Sequence, residues 1–510
     1  MPAQPPKGSF QLKRGVQLIP APEGGIILQS EPLRAMKINQ AAFNLLDRCR
    51  TGFQVDPDHI GREQPAAMNF LDTLHQGGLL DWMPLQHQPL PSVSIVIPVY
   101  RRPAEIKACL NSLQSLDYPA DKLEIIVVDD ASLDQTAAVV RQFDVRLIIE
   151  PRNRGQSAAR NRGVAAAKGE VVAFLDSDCI AQPDWLQELV PYFQDPRVAL
   201  VGGYVDGYYR KKRMDRYEQV CSALNMGDDT VMGRGKNCVF YVPTCNMLVR
   251  KTFYLQAGGL DENLRVGEDV DLCWRLMAAG HHLFYIPRGA VRHKHRNRLL
   301  AGYLRRFEYG TSEAALYARF PAVIKQLPWQ PAGLGAILCV VMTLVTRSWI
   351  GLMLLAGIVA IETGCKRMQL IRKMTIRLPW KDVFTAVIKD HFQLAFYLAY
   401  ILVRYHLLLL IVLAFAVPSQ LALWLTIIIF PTLVTYIRKR PRLSFPTFAF
   451  FYLGEHAFYQ CGAFWGCLEQ KRFRLYRISF RYAGFIKPSR RRGKKNPMPV
   501  KKASENVAMG

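Results

Sequence analysis

Hydrophobic and polar positions fall along this chain in three regimes. Between residue 92 and about residue 295, the aliphatic runs VSIVIPVY, LEIIVVDD, VRLIIE and EVVAFLDSD alternate with amphipathic stretches. Runs without a polar period fit strands buried on both faces, so this region predicts an α/β domain around a largely parallel sheet. Ahead of it lie the short apolar stretches GVQLIPA and GGIILQS. In MKINQAAFNLLDRC that follows, Ile38, Phe43, Leu45 and Leu46 recur at roughly helical spacing. Residues 1–83 therefore read as a small domain of strands followed by helices. Pro84, Pro89 and Pro91 make residues 84–91 a linker, because proline cannot continue a helix. The α/β domain is expected over 92–325.

Beyond residue 330 the polar faces vanish. The runs at 332–346 and 349–361 are each shorter than the roughly 20 residues a spanning helix needs. They fit a short hairpin, a re-entrant pair, or one tilted span broken at Arg347. A second block, from Leu394 to Val417 and on through Pro418-Ser419-Gln420 to Ile437, is broken only by Arg404 and His406 before the turn. It predicts a transmembrane hairpin. The aromatic stretch FPTFAFFYLGEHAFYQCGAFWGCL suits a helix at the headgroup level or one packed under the α/β domain. The whole of 326–470 is thus expected to be membrane helices and an interfacial helix. Residues 471–510 form a basic tail, read as a segment held near anionic lipid in preference to nucleic acid.

Composition narrows the setting. At 510 residues the chain holds more than one domain, and 66 Lys and Arg against 41 Asp and Glu give a formal charge of +25. Such a surplus needs an anionic partner: nucleic acid, a phosphorylated ligand or lipid headgroups. The 11 cysteines include no C-x-x-C pair, which argues against a zinc knuckle or redox motif and for reduced thiols facing the cytosol. The first residues carry no apolar segment behind a basic start, so no cleaved leader is expected. Clustered cations in CKRMQLIRK and RKRPR favour cytoplasmic loops, hence an even number of passes through the cell inner membrane with the α/β domain in the cytoplasm.

Candidate chemistry gathers at strand ends, where open parallel sheets bind ligands. The first strand leads into Pro98-Val99-Tyr100-Arg101-Arg102, an aromatic ring and cations at the rim. The second ends in Asp129-Asp130, which offer acceptors to a base N–H or a ribose hydroxyl; alone, the pair also fits a loop or helix cap. The third ends in Asp176-Ser177-Asp178. Carboxylates two apart in extended chain point the same way, so they suit one hard divalent cation that also takes phosphate oxygens. The fourth group, Glu268-Asp269-Val270-Asp271, opens a helix, where acids also simply favour the dipole. His293, at the end of a predicted strand, offers an imidazole to a metal shell or lies solvated at the surface.

The ordered set IPVYRR, VVDDAS, NRGQSAARNRG, FLDSD and GEDVDLCWRL resembles family 2 glycosyltransferases with the GT-A fold, from Ser92 to about Phe320. The resemblance implies a Rossmann-like nucleotide-diphospho-sugar transferase domain. Pro98, Tyr100, Arg102, Asp129, Asp130 and Arg160 would then line the nucleotide-sugar site. Asp176 and Asp178 would bind Mn²⁺ or Mg²⁺ on the diphosphate. Asp269, second of the Glu268-Asp269 pair, would be the general base of an inverting reaction. His293, followed by Arg296, resembles the metal histidine of some GT-A enzymes.

A narrower resemblance runs over nearly the whole chain, through GEDVDLCWRLMAAG, RRFEYGTSEAALYARFP and HAFYQCGAFWGCL, to the mycofactocin-system glycosyltransferase family. It implies UDP-glucose as donor and a peptide-derived redox cofactor as acceptor. It also implies a small winged-helix-like N-terminal α+β domain similar to peptide-binding modules; a cap without a peptide partner is the alternative there. Two rivals stand beside this reading: transfer to a polyprenyl phosphate, another membrane lipid or a cell-envelope glycan, and a silent nucleotide- or peptide-binding membrane scaffold. No Arg-Trp pair occurs, which disfavours processive polymer synthesis. Nucleotidyltransfer lacks its glycine-rich loop after the first strand.

Overall fold

The computed structural model describes residues 8–30, 33–55, 65–85, 89–235, 238–295 and 298–482. Two small antiparallel sheets open the chain. In one, β1 (Gly8–Leu12) lies between β5 (Phe53–Val55) and β6 (Leu80–Pro84); in the other, β2 (Val16–Ala21), β3 (Gly24–Ser30) and β4 (Leu33–Asn39) run as a meander. Two helices accompany them, α1 (Gln40–Arg48) and α2 (Pro65–Gln76). The Asn39 side chain caps α1 by accepting from the Ala42 N–H at 2.9 Å, so the helix starts at Gln40 and Ile38 stays on β4. This domain shares its core with the next one. Trp82 packs its ring 5.7 Å from Tyr192 and 6.0 Å from Phe284, and Arg197 holds Asp72 at 2.8 and 3.0 Å.

The predicted aliphatic runs become four adjacent strands at one end of an eight-stranded sheet. Its strands are β7 (Val93–Val99), β8 (Leu123–Asp129), β9 (Arg146–Ile149), β10 (Val171–Leu175), β12 (Val198–Gly202), β14 (Val231–Gly233), β15 (Asn246–Arg250) and β16 (His282–Tyr285), in the order β14-β16-β12-β15-β10-β7-β8-β9. The sheet is mixed: β15 runs against β10 and β12, and β14 against β16, while the other pairings are parallel. Around it lie α3 (Pro103–Leu113), α4 (Thr136–Val140), α5 (Gln156–Ala166), α6 (Trp185–Leu189), α7 (Arg213–Cys221), α8 (Lys251–Gln256) and α9 (Glu268–Ala278). A small sheet, β11 (Cys179–Ala181), β17 (Val291–His293) and β13 (Val205–Gly207), lies past the end of β10. The carboxyl ends of β10, β7 and β8 thus stand side by side.

Helices dominate the remainder: α10 (Leu299–Arg319), α11 (Pro331–Thr346), α12 (Ile350–Met374), α13 (Trp380–Ala416), α14 (Leu421–Lys439) and α15 (Phe445–Glu469). Among the described residues, two helices are long and apolar enough to cross a membrane, Trp380–Ala416 and Pro418–Lys439. α13 kinks at His406, and large apolar side chains such as Leu409, Val412 and Phe415 stay exposed. α12 continues through the charged CKRMQLIRK because Lys366 pairs with Glu362 at 3.0 Å and Asp390 at 2.9 Å. The aromatic stretch forms α15 and packs backbone to backbone on α10. A Cβ at Gly462 would lie 2.0 Å from the Phe307 carbonyl oxygen, and one at Gly310 2.3 Å from that of Tyr459. The chain after residue 470 does not leave at once as a tail: β19 (Ile478–Tyr482) returns to pair in parallel with β18 (Lys325–Trp329), which itself straddles the expected boundary at 325. The tail from 483 onward lies outside the described residues.

Candidate active site

The first two strand ends are stitched together before any ligand is considered. Arg101 and Ala131 both take positive φ, 51° and 62°, conformations that cost an ordinary residue about 1–3 kcal/mol. Hydroxyls across the gap hold these turns: Ser132 accepts from the Arg101 N–H at 2.8 Å and Thr136 from the Arg102 N–H at 3.1 Å. Tyr100 stands 39% exposed at the rim, with Arg101 beside its ring, while Pro98 is half-buried on β7.

The two aspartates after β8 have different tasks. Asp130 spends both oxygens on the next loop, accepting from the N–H groups of Arg154 and Gly155, each at 2.8 Å. It fixes the approach to α5. Asp129 accepts from the Ser132 N–H at 3.0 Å, and its other oxygen is buried without a hydrogen-bond partner among the described residues. Of the pair, Asp129 keeps acceptor capacity for a ligand.

Helix α5 brings Arg160 beneath the strand ends, only 1% exposed. One arm donates to Asp176 Oδ1 at 2.5 Å and the other to Glu268 Oε1 at 3.2 Å. Glu268 also accepts from Gln156 Nε2 at 2.7 Å. A single buried guanidinium therefore joins the end of β10 to the start of α9, two segments nearly a hundred positions apart. Burial works against the charge of Arg160, but Asp176 and Glu268 overcome it and raise the affinity for its proton. Burial likewise opposes ionisation of Asp176, and Arg160, with His293 and Arg102, still carries that carboxyl below its usual range.

Asp178 faces the other way. One of its oxygens takes the Arg102 guanidinium; the other lies 3.5 Å from His293 Nε2, buried and without a hydrogen bond. Pairing of β11 with β17 sets this approach, since Cys179 stands opposite His293 in the register. Asp178, Cys179 and His293 place ligand atoms within 4.8 Å of one another. Cys179 is a bystander, because burial pushes its thiol well above the ordinary range and keeps it protonated. Asp178 and His293 thus converge as the sequence suggested, with Asp176 beside them but held by Arg160. An orphaned carboxylate oxygen against an imidazole suits a hard divalent cation. Arg296 lies outside the described residues.

The three acids at the start of α9 divide cleanly. Glu268 belongs to Arg160. Asp271 is structural, bonded to Arg275 at 2.7 Å and to Arg319 at 3.0 Å. Asp269 takes a bond from the Val270 N–H at 2.8 Å, and neither of its oxygens forms an ion pair among the described residues. Burial, reinforced by neighbouring Glu268, raises its pKa to about 7. A carboxylate poised near neutral pH is equipped to accept a proton from a hydroxyl. Sequence reasoning placed Arg160 near a nucleotide and missed its bridging role; an arginine on a buried helix face, i−16 from Asp176, was the available signal.

A cavity of about 1050 Å³ lies elsewhere, in the N-terminal domain. Edge strand β4 borders it, with Leu45 of α1, Phe70 of α2, Phe53 and Met374 of α12 completing the wall. None of the acidic residues above lines it.

Residues 94–254 match the family model described as Glycosyl transferase family 2. The chain is 31% identical over 317 residues to the pre-mycofactocin glycosyltransferase of Mycobacterium tuberculosis (strain ATCC 25618 / H37Rv), a match covering 61% of this chain and 64% of that protein. It is 34% identical over 203 residues to glycosyltransferase AglE of Haloferax volcanii, covering 38% of this chain and 64% of AglE. The matches thus span slightly less than two thirds of these curated relatives. Among solved structures it is similar to the mannosyltransferase PcManGT from Pyrobaculum calidifontis in complex with GDP-Man and Mn2+, at 20% identity and a TM-score of 0.38, over 60% of this chain and 88% of that one.

Proposed function

We propose, for a chain whose residues 94–254 belong to glycosyl transferase family 2 on a GT-A type of mixed sheet, an inverting, metal-dependent transfer of a hexose from a nucleotide-diphosphate donor to an acceptor hydroxyl. The observation that carries the reading is the Arg160 bridge, which joins Asp176 at the end of β10 to Glu268 at the start of α9. Tyr100 and Pro98 would meet the base and ribose at the rim, with the unpartnered oxygen of the buried Asp129 as the acceptor behind them. Asp178 and His293, with Asp176, would hold Mn²⁺ or Mg²⁺, which when bound offsets the charge growing on the departing diphosphate. Arg102 stands by to meet phosphate oxygens. Asp269 removes the acceptor proton as the acceptor oxygen attacks the anomeric carbon and the bond to the diphosphate breaks. One in-line displacement inverts that carbon.

The likeness to pre-mycofactocin glycosyltransferase supports UDP-glucose as donor and a mycofactocin-type, peptide-derived cofactor as acceptor. The cavity beside β4 supports a peptide-binding role for the N-terminal domain. The two apolar helices support attachment to a membrane; we take this to be the cell inner membrane, crossed an even number of times, with the catalytic domain cytoplasmic. A second reading, transfer to a polyprenyl phosphate or other lipid acceptor, is favoured by the same helices.

Radiolabelled UDP-glucose supplied to membranes separates the two. Label in a small aqueous product supports the cofactor acceptor, and label extracting into organic solvent supports the lipid. UDP release by wild type and Asp269→Asn tests the reaction itself: equal rates remove Asp269 as base, and donor binding without turnover by the wild type leaves the silent scaffold.

A further inference from the structure

Helix α7 is divided sharply between its two sides. Met214 and Tyr217 are buried in an apolar cluster with Val403 and Leu407 of α13, Ile428 of α14 and Phe448 of α15. Its acids are buried too: Asp215 lies 3.2 Å from His295 Nε2, and Glu218 2.9 Å from Arg306. The outer side and the loop before it carry the cations of residues 210–213 and Arg216, all exposed. A second exposed basic run, residues 438–440 and Arg442, follows where α14 ends. Arg216 Nη1 donates to the Arg442 carbonyl oxygen at 3.5 Å, so the two runs adjoin. Within residues 206–216 and 438–442 the acids are Asp206, bonded to Arg210 at 2.7 Å, and the buried Asp215. The result is a face of nine exposed cations with almost no counter-charge of its own.

Its position is as telling as its charge. Lys439 closes the second membrane-length helix, so residues 438–442 stand where the chain leaves the apolar stretch. At the other end, β13 runs directly into the basic loop and pairs with β17, the strand of His293. The Tyr208 N–H donates to the His293 carbonyl at 2.9 Å, and Lys294 Nζ lies 5.2 Å above the Tyr208 ring. We propose that this face docks on an anionic phospholipid bilayer and holds the Asp178–His293 site at headgroup level. The inference rests on reading α13 and α14 as membrane spans. Charge complementarity and continuity with those spans choose a lipid surface over other polyanions. An acceptor confined to the bilayer surface would meet the site without leaving it.

The test uses the full chain in nanodiscs of phosphatidylcholine alone, or with about a third phosphatidylglycerol, read by hydrogen exchange at residues 208–216 and 438–444. Each cation near an anionic surface is worth about fivefold in binding, so exchange in both segments should slow several-fold in the anionic discs. High salt should abolish the difference. The variant Lys211→Gln/Lys212→Gln/Arg213→Gln should lose it at 208–216 while exchange elsewhere matches wild type. Equal exchange in the two lipids overturns the proposal. So does protection by a short nucleic-acid duplex in place of anionic lipid. Because the main comparison is one protein in two lipids, a failure here leaves glycosyl transfer standing.

Discussion

Two clusters in this molecule bury arginines among carboxylates, and they differ in how their charges balance. At the junction of α7, α10, α13 and α15, Arg306 pairs with Glu218 at 2.9 Å and Glu455 at 3.4 Å, and Arg404 lies 3.5 Å from Glu455. Two guanidiniums meet two carboxylates, and Tyr217 adds a hydrogen bond to Glu455 at 2.8 Å. At the sheet edge, Arg160 and Arg102 face Asp176, Asp178, Glu268 and Asp269. That cluster carries an excess of negative charge, an orphaned Asp178 oxygen and strained turns at Arg101 and Ala131. A closed pair of pairs holds helices together. An excess of carboxylate beside an imidazole is what the proposed cation and proton chemistry requires.

Substitutions sharpen this contrast. Asp269→Asn should lower turnover by about 10²–10⁴-fold with donor affinity kept, measured as UDP release. In wild type the rate should fall as pH drops below about 7, because the base is then protonated. Asp178→Asn should abolish Mn²⁺ binding, read by electron paramagnetic resonance, whereas Glu218→Gln at the balanced cluster should leave it unchanged.

Arg160→Met and Arg306→Met should each cost about 3–5 kcal/mol, since each strands buried carboxylates, and denaturant unfolding would show it. Only Arg160→Met should also alter the pH dependence of turnover. If Arg306→Met shifts that profile equally, the two clusters are not the separate devices described here.

Gly462→Ala should destabilise the contact of α15 with α10 by about 1–3 kcal/mol, because its Cβ would meet the Phe307 carbonyl. The smallest effect expected is on stability against pH. The pKa of Asp269 is raised on folding from 3.8 to about 7, so the folded state favours its protonated form. The associated stability is complete below about pH 4 and lost as pH rises through 7. Thermal denaturation of wild type against Asp269→Asn across that window should show it.

Much of this was readable in the residues. VSIVIPV, LEIIVVD and VVAFL are largely apolar and became β7, β8 and β10, with acids at the carboxyl ends of β8 and β10 and Tyr100-Arg101-Arg102 at that of β7. The break at Pro418 and the apolar runs beside it were equally plain. Strand β15 was not, since five residues carry no period that tells parallel from antiparallel. The extent of α12 was hidden because Lys366 finds its carboxylates only once α13 packs alongside. Which of Asp129 and Asp130 stays open depended on a loop 24 and 25 residues away. The bridge by Arg160 is likewise a tertiary fact, visible only when α5 is laid against two distant segments.

The most direct test of a shared site is to locate Mn²⁺ by anomalous scattering in crystals grown with UDP. One strong peak is expected between Asp178 and His293, on the side of Asp176, with Asp269 opening into the same cleft. A peak away from these side chains, or a cleft that leaves Asp269 walled off from the diphosphate, would contradict a shared site.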